Sequence, residues 1–248
     1  VITFKEKPLT LNLHALDRLA ACISRVEAPL ILVHGGGSFG HYYASRYGLS
    51  GRARRSLPEG VVETRAAMLK LNSHVIKAFI KHGLHSYTVP AFSFMKEGGK
   101  FDFEKKTFIQ YLLEAGIIPV SHGDVLPSSR GFYVLSGDTI VRILAEAFKP
   151  EKAVFLMDVD GIYEKEGDAS SLIREMHLGQ LRSFSSSEPE VDVTGGLTLK
   201  VKEASRIAHI GVDVLFINGL KPERVFKALK GERTVGTLIR GVKCGKPH

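Results

Sequence analysis

Short apolar runs in this chain stop abruptly at glycine. "LILV" (30–33) runs into "HGGGSFGH", "IIPV" (117–120) into "SHGDV", and "VFLM" (154–157) into "DVDGIY". Four continuous apolar residues make a strand covered on both faces, as in a parallel sheet, rather than one with a wet side. Helical periodicity fills the intervals. Leu13, Leu16, Leu19, Ala20 and Ile23 mark one helix; a second spans about Pro58 to His82, with proline at its first turn and Gly83 at its stop. "FEKKTFIQYLLEAG", "TIVRILAEAF", "LTLKVKEASRIAHIG" and "ERVFKALKG" supply further helices, and "SYTVPAFSF", "SSRGFYVL", "VDVLFIN" and "TVGTLI" further strands, with a hairpin turn at "KEGGKF". Strands alternating with helices predict an α/β fold with a mostly parallel central sheet and helices on both faces. Pro150 punctuates the chain, so we expect two lobes, 1–150 and 151–248.

The 248 residues suffice for one large α/β domain or two lobes, and 44% hydrophobic content is that of a globular protein. No apolar run reaches the roughly 18 residues of a membrane span, and no charged-then-apolar leader opens the chain, so a cytoplasmic protein is expected. The sequence opens at Val1 without Met, with "VITFKEK" already inside or just after a first strand, and we expect that some N-terminal residues precede it. Cys22 and Cys244 provide neither a disulfide framework nor a CxxC metal knuckle. The net charge of +8 suits acidic ligands, but Lys and Arg are spread along the chain, which argues against a nucleic-acid surface. The one dense cluster, Arg52, Arg54 and Arg55 in "GRARRS", reads as a solvated loop or as steering for an anionic substrate.

Ligands of such sheets bind beyond the carboxyl ends of the strands, where the glycines lie. Gly35, Gly36 and Gly37 carry no Cβ, so their amides can approach a ligand closely. Ser38 is the expected N-cap of a helix starting near Phe39, which would aim backbone N–H groups at an anion. Taken alone, the loop is equally a tight turn, and its spacing fits neither G-x-x-x-x-G-K-[ST] nor G-x-G-x-x-G. "LSGD" (135–138) and "VTGG" (193–196) also open onto helices. Ser136, Asp138 and Thr194 could each be a simple cap, and "DVDGIY" a simple turn. As a set, five such loops read as one extended polyphosphate cradle.

"HGGGSFGH", "GDV", "SGD", "DVDGIY" and "DVTGGLTLK", in that order over nearly the whole chain, resemble the amino acid kinase superfamily, and within it the isopentenyl phosphate kinases most. Fosfomycin-type kinases share the "FGH" histidine, His41, and are the alternative. The resemblance implies an open αβα sandwich, with a phosphate acceptor held by 1–150, ATP held by 151–248, direct in-line transfer and a homodimer. It implies a place in isoprene biosynthesis through a mevalonate pathway. Family members open with Lys-x-Gly-Gly-Ser and a second lysine; Lys5 matches the second, while the first lysine and its glycines are absent.

The same resemblance implies the residue roles. Lys5 stabilises the transferring phosphoryl group, Lys200 reaches the ATP phosphates, and His41 donates to the acceptor phosphate. Gly35, Gly36, Gly37 and Gly137 offer amides to the acceptor; Asp158, Gly161, Tyr163, Gly195 and Gly196 line the nucleotide. Asp124, Ser136, Asp138, Asp160 and Thr194 play supporting parts, orienting lysines or holding water on the Mg²⁺ that accompanies ATP. No compact carboxylate cluster offers a protein-built metal cage. An isoprenyl monophosphate also needs an apolar wall, and Val61, Thr64 and Met68, at i, i+3 and i+7, share a helical face that either lines the tail or packs on the sheet. Two other classes compete: a nonenzymatic nucleotide-binding regulator, against which Lys5 and His41 argue, and a metal-dependent hydrolase using His34, His41, His122 and Asp124, for which no ligand spacing such as H-E-x-x-H appears.

Overall fold

The first helix, α1 (Leu13–Ile23), is capped by Asn12, whose side chain accepts from Ala15 N–H, and buries Leu16, Leu19, Ala20 and Ile23. This computed structural model describes residues 1–52, 56–96, 99–165, 168–180 and 196–242, which divide into the units Val1–Ile143 and Leu144–His248. In the first unit follow β1 (Leu32–His34), α2 (Gly37–Arg46), α3 (Pro58–Lys81), β2 (Ser86–Thr88), β3 (Met95–Lys96), β4 (Lys100–Phe101), α4 (Lys106–Glu114), β5 (Ile118–His122), β6 (Asp124–Ser128) and β7 (Gly131–Leu135), and α5 (Gly137–Phe148) begins in the first unit and ends in the second. The second holds β8 (Lys152–Met157), β9 (Glu175–Met176), α6 (Gly196–His209), β10 (Asp213–Asn218), α7 (Pro222–Leu229) and β11 (Thr237–Ile239).

In the first unit β5 lies between β1 and β2, parallel to both, with His34 opposite His122 and Thr88 opposite Val120. All three strands therefore end on the same side, and the loops after β1 and β5 open together. Hairpin β6–β7 runs antiparallel from Asp124 opposite Leu135 to Ser128 opposite Gly131. The second unit has a four-stranded sheet in the order β8-β10-β11-β9, parallel except for β10 against β11. Phe155 and Phe216 stack within its core, ring centres 5.3 Å apart.

Several local expectations need correction. The "LILV" strand pairs only from Leu32, because only Leu32 to His34 find partners on β5. "SYTVPAFSF" is a strand only over Ser86–Thr88; beyond Pro90, which has no N–H to give a ladder, Ala91–Ser93 form a 3₁₀ turn. The opening "VITFKEK" is no regular strand: Thr3 makes an isolated antiparallel bridge to Leu11, and Lys7 N–H closes a turn on Phe4 O (3.3 Å). Arg54, Arg55, the polar stretch 182–192 and Cys244 lie outside the described residues. Among those described, no helix is long and apolar enough to cross a membrane.

Candidate functional site

Three glycine loops meet backbone to backbone at the carboxyl end of the first unit's sheet. Gly123 N–H donates to His34 O (3.1 Å). A Cβ on Gly137 would lie 3.1 Å from His34 O and 3.3 Å from Gly35 Cα, and one on Gly123 would lie 3.1 Å from Leu135 O and 3.4 Å from Gly137 N. The α5 start, the β5–β6 link and the loop after β1 therefore close on one another around Gly123 and Gly137, whose missing side chains let backbone approach backbone, whereas a Cβ on Gly35 would meet open space. Gly37 adopts φ +47°, and a Cβ there would strike the Thr3 hydroxyl.

Helix α2 begins two residues earlier than the sequence suggested, with Gly36 rather than Ser38 at its N-cap. Ser38 is buried in the first turn, and its N–H donates to Thr3 Oγ1 (3.1 Å) while its hydroxyl donates to Thr10 O (3.3 Å). A threonine from the chain's start thus supplies the cap that a local serine was expected to give. The amides of Gly35, Gly36 and Gly37 precede any helical carbonyl that could accept from them, which leaves them aimed out of the helix end.

His41 stands exposed on α2, one turn beyond Gly37. Lys5 is exposed in the turn after Thr3, two residues from the hydroxyl that ties this segment to Ser38. Ser136 caps α5, its Oγ accepting from Thr139 N–H (3.1 Å), and Asp138 occupies the helix's first turn. Val61, Thr64 and Met68 are all buried. Val61 packs with Ala44, Leu49 and Val125, and Thr64 donates to Gly60 O (2.7 Å). Met68 lies directly beneath the α2 start: its sulfur would be 3.3 Å from a Cβ on Gly36 and 2.8 Å from one on Gly40.

Beneath the loops sits a polar layer. The His34 and His122 rings stack, centres 5.3 Å apart. Nδ1 of His34 is 3.1 Å from Gly35 O and its Nε2 3.2 Å from the Asn72 side chain, which also bonds Thr88 Oγ1 (2.8 Å). His122 makes the matching contact to Gly123 O (2.9 Å), while its buried Nε2 has no partner. Burial, reinforced by His122 alongside, pushes the His34 imidazole down to about 4. Asp124 is fully buried against Arg65 (2.9 Å) and accepts from Val125 N–H (2.8 Å); burial pushes its carboxyl up against the pull of Arg65. His34, His41, His122 and Asp124 do not form a metal centre: among the described residues no three His, Cys, Asp or Glu converge on one point.

In the second unit, Asp158 is exposed where β8 ends. Asp160 is committed to Arg224 (2.6 Å) and Asn218 (2.9 Å), and the Asn218 amide together with the Arg224 guanidinium holds its carboxyl below the usual range. Gly161 is glycine for a steric reason, since a Cβ would come within 3.0 Å of Thr237 N and strike its hydroxyl. That hydroxyl accepts from Ile162 N–H (2.8 Å) and donates to Ile173 O. Tyr163 is half-buried and bridges to Leu172; Lys200 is half-buried in the second turn of α6, which starts at Gly196. Thr194 and Gly195 lie outside the described residues. Sequence reasoning missed Thr3, Arg65, Asn72, Arg224 and Thr237, all of which act across long sequence separations and carry no local signature.

Residues 2–218 match the amino acid kinase family. The isopentenyl phosphate kinase of Thermoplasma acidophilum is 35% identical over 245 residues, covering 97% of this chain and 96% of that protein. The isopentenyl phosphate kinase of Methanothermobacter thermautotrophicus is 34% identical, with 97% and 96% covered. The crystal structure of the T. acidophilum isopentenyl phosphate kinase product complex superposes with a TM-score of 0.78 at 32% identity, covering 97% and 96% of the two chains. With its glycine loops, its His41 and its sheet topology in place, the chain belongs to the amino acid kinase family, on the branch of the isopentenyl phosphate kinases.

Proposed function

We propose that this chain transfers the γ-phosphoryl group of MgATP to isopentenyl phosphate, giving isopentenyl diphosphate and ADP. The observation that carries the reading is the glycine cluster of the first unit, where α2 presents outward amides with His41 one turn away, on a chain related end to end to isopentenyl phosphate kinases. Joining two anions requires fixed positive charge and N–H donors rather than a strong base, because the acceptor phosphate is already ionised. Gly35, Gly36, Gly37 and Gly137 would offer amides to that phosphate, His41 a side-chain donor, and Lys5 charge to the phosphoryl group in transit. Asp158, Gly161, Tyr163, Gly195, Gly196 and Lys200 would serve the nucleotide.

Asp124, Asp138, Ser136 and Asp160 would support this layout by holding loops, as Asp160 does through Arg224 and Ser136 through Thr139, and Thr194 would be a further supporting residue. Mg²⁺ enters as part of the MgATP substrate, neutralising its phosphates. A homodimer and a cytoplasmic location belong to the same proposal. The test is ATP consumption by the purified protein with isopentenyl phosphate, dimethylallyl phosphate, fosfomycin and simple amino acids. Isopentenyl phosphate should be turned over fastest; a clear preference for fosfomycin or an amino acid refutes the assignment.

A further inference from the structure

We propose that His34 is a positioning residue: its Nδ1–H holds the Gly35 carbonyl toward the core and so turns the Gly36 N–H outward to the acceptor phosphate. This rests on the proposed function, which places the acceptor at the glycine loop. The peptide between Gly35 and Gly36 is trans, like every other described here, so its C=O and N–H point in opposite directions. Gly35 O lies 3.1 Å from Nδ1 of a buried ring, and the Gly36 N–H therefore points away from that ring. It finds no backbone acceptor among the described residues. A peptide flanked by two glycines turns over easily, because neither residue has a Cβ to bias it. The imidazole supplies the missing bias.

The surrounding bonds fix which nitrogen carries the proton. A carbonyl only accepts, so Nδ1 must be the donor to Gly35 O. A neutral ring then leaves Nε2 as an acceptor, and its neighbour Asn72 must present N–H rather than oxygen. Turning the Asn72 amide over achieves this: its Nδ2–H donates to His34 Nε2, and its Oδ1 accepts from the Thr88 hydroxyl. Each link in the chain Gly35–His34–Asn72–Thr88 then pairs a donor with an acceptor without a buried charge, in keeping with the depressed basicity of His34. His122 repeats the contact with Gly123 O and stacks on His34, which keeps the upper ring from rotating out of line.

Two substitutions separate positioning from packing. Asn places its amide N–H where imidazole carries Nδ1, so His34→Asn keeps the donor to Gly35; Gln places it where imidazole carries Nε2, so His34→Gln keeps the Asn72 contact and loses Gly35. His34→Gln should raise KM for isopentenyl phosphate about tenfold, the loss expected for one hydrogen bond to a charged group, with KM for ATP unchanged. His34→Asn should stay within about threefold of the parent. Equal changes in the two variants overturn the proposal. The parent protein gives a reading free of folding effects: ¹⁵N-histidine spectra at neutral pH should show His34 protonated on Nδ1, and an Nε2–H tautomer overturns the proposal. In ¹⁵N-glycine-labelled protein the Gly36 amide should shift on addition of isopentenyl phosphate. An unresponsive Gly36 together with the Nδ1–H tautomer would instead refute the placement of the acceptor, and with it the direction assigned to this amide.

Discussion

Acidification should destabilise this protein through His34 before its surface carboxylates matter. The ordinary imidazole value of 6.5 falls to about 4 in the folded chain, because the ring is buried and stacked on His122. Above pH 6.5 the ring is neutral whether folded or not, and its contribution is complete. Below that, the unfolded chain binds a proton that the folded chain refuses, so stability falls steadily until about pH 4, where the folded ring protonates too and the loss levels off. At about 1.4 kcal/mol per tenfold difference in proton affinity, the whole loss is about 3 kcal/mol. A typical domain has only about 5–15 kcal/mol in total. Asp124 works in the opposite sense: its carboxyl is pushed up by burial, so protonating it relieves a penalty as the pH falls. Comparing the parent with His34→Asn, which cannot titrate, cancels that contribution. Urea unfolding followed by circular dichroism at pH 7.5, 6, 5 and 4 should show the parent losing about 3 kcal/mol more than the variant. Parallel pH profiles for the two proteins would refute the reasoning.

His41→Ala should raise KM for isopentenyl phosphate about tenfold and leave KM for ATP unchanged; equal rises would remove His41 from the acceptor side. Lys5→Ala should lower kcat at nearly constant KM, as for a contact made in the transition state, and an unchanged kcat excludes that role. Met68→Ala, alone or with Val61→Ala, should cost about 2–5 kcal/mol of stability and raise kcat/KM for geranyl phosphate relative to isopentenyl phosphate, since Met68 fills the space under Gly36 and Gly40. A folded variant with an unchanged ratio shows that this face is core alone. Arg65→Met should cost about 3 kcal/mol by leaving the Asp124 carboxylate buried without its cation, and Asp124→Asn in the same chain should restore most of the loss in thermal melts.

The elements that sequence reasoning placed well are those with local causes. Helix α3 starts at its proline and stops just before Gly83, which adopts φ +74°. The glycine loops stood out because nothing but glycine lets backbone approach backbone so closely. What stayed hidden acts over distance. Local rules favour Ser38 as a cap, yet the hydroxyl that meets α2 comes from Thr3, and Gly161 is required by Thr237. Asp160 reads as turn chemistry, but Arg224 and Asn218 hold it. The histidine pair was within reach: "VHG" and "SHG", matched on their glycines, give the register that sets His34 opposite His122, whereas matching the ends of the apolar runs is off by one.

The clasp between Thr3 and Gly37 has an evolutionary corollary. Position 3 must offer a small hydroxyl to Ser38 N–H, and position 37 must offer nothing at all, because any side chain there would collide with that hydroxyl. Neither residue can drift alone. Across relatives the two should be inherited as a unit, with serine or threonine at the first wherever glycine holds the second. Directed-evolution libraries that randomise the glycine loop will therefore sample mostly dead variants at position 37, and shortening residue 3 in the same library removes the collision but not the strain of a side chain at φ +47°.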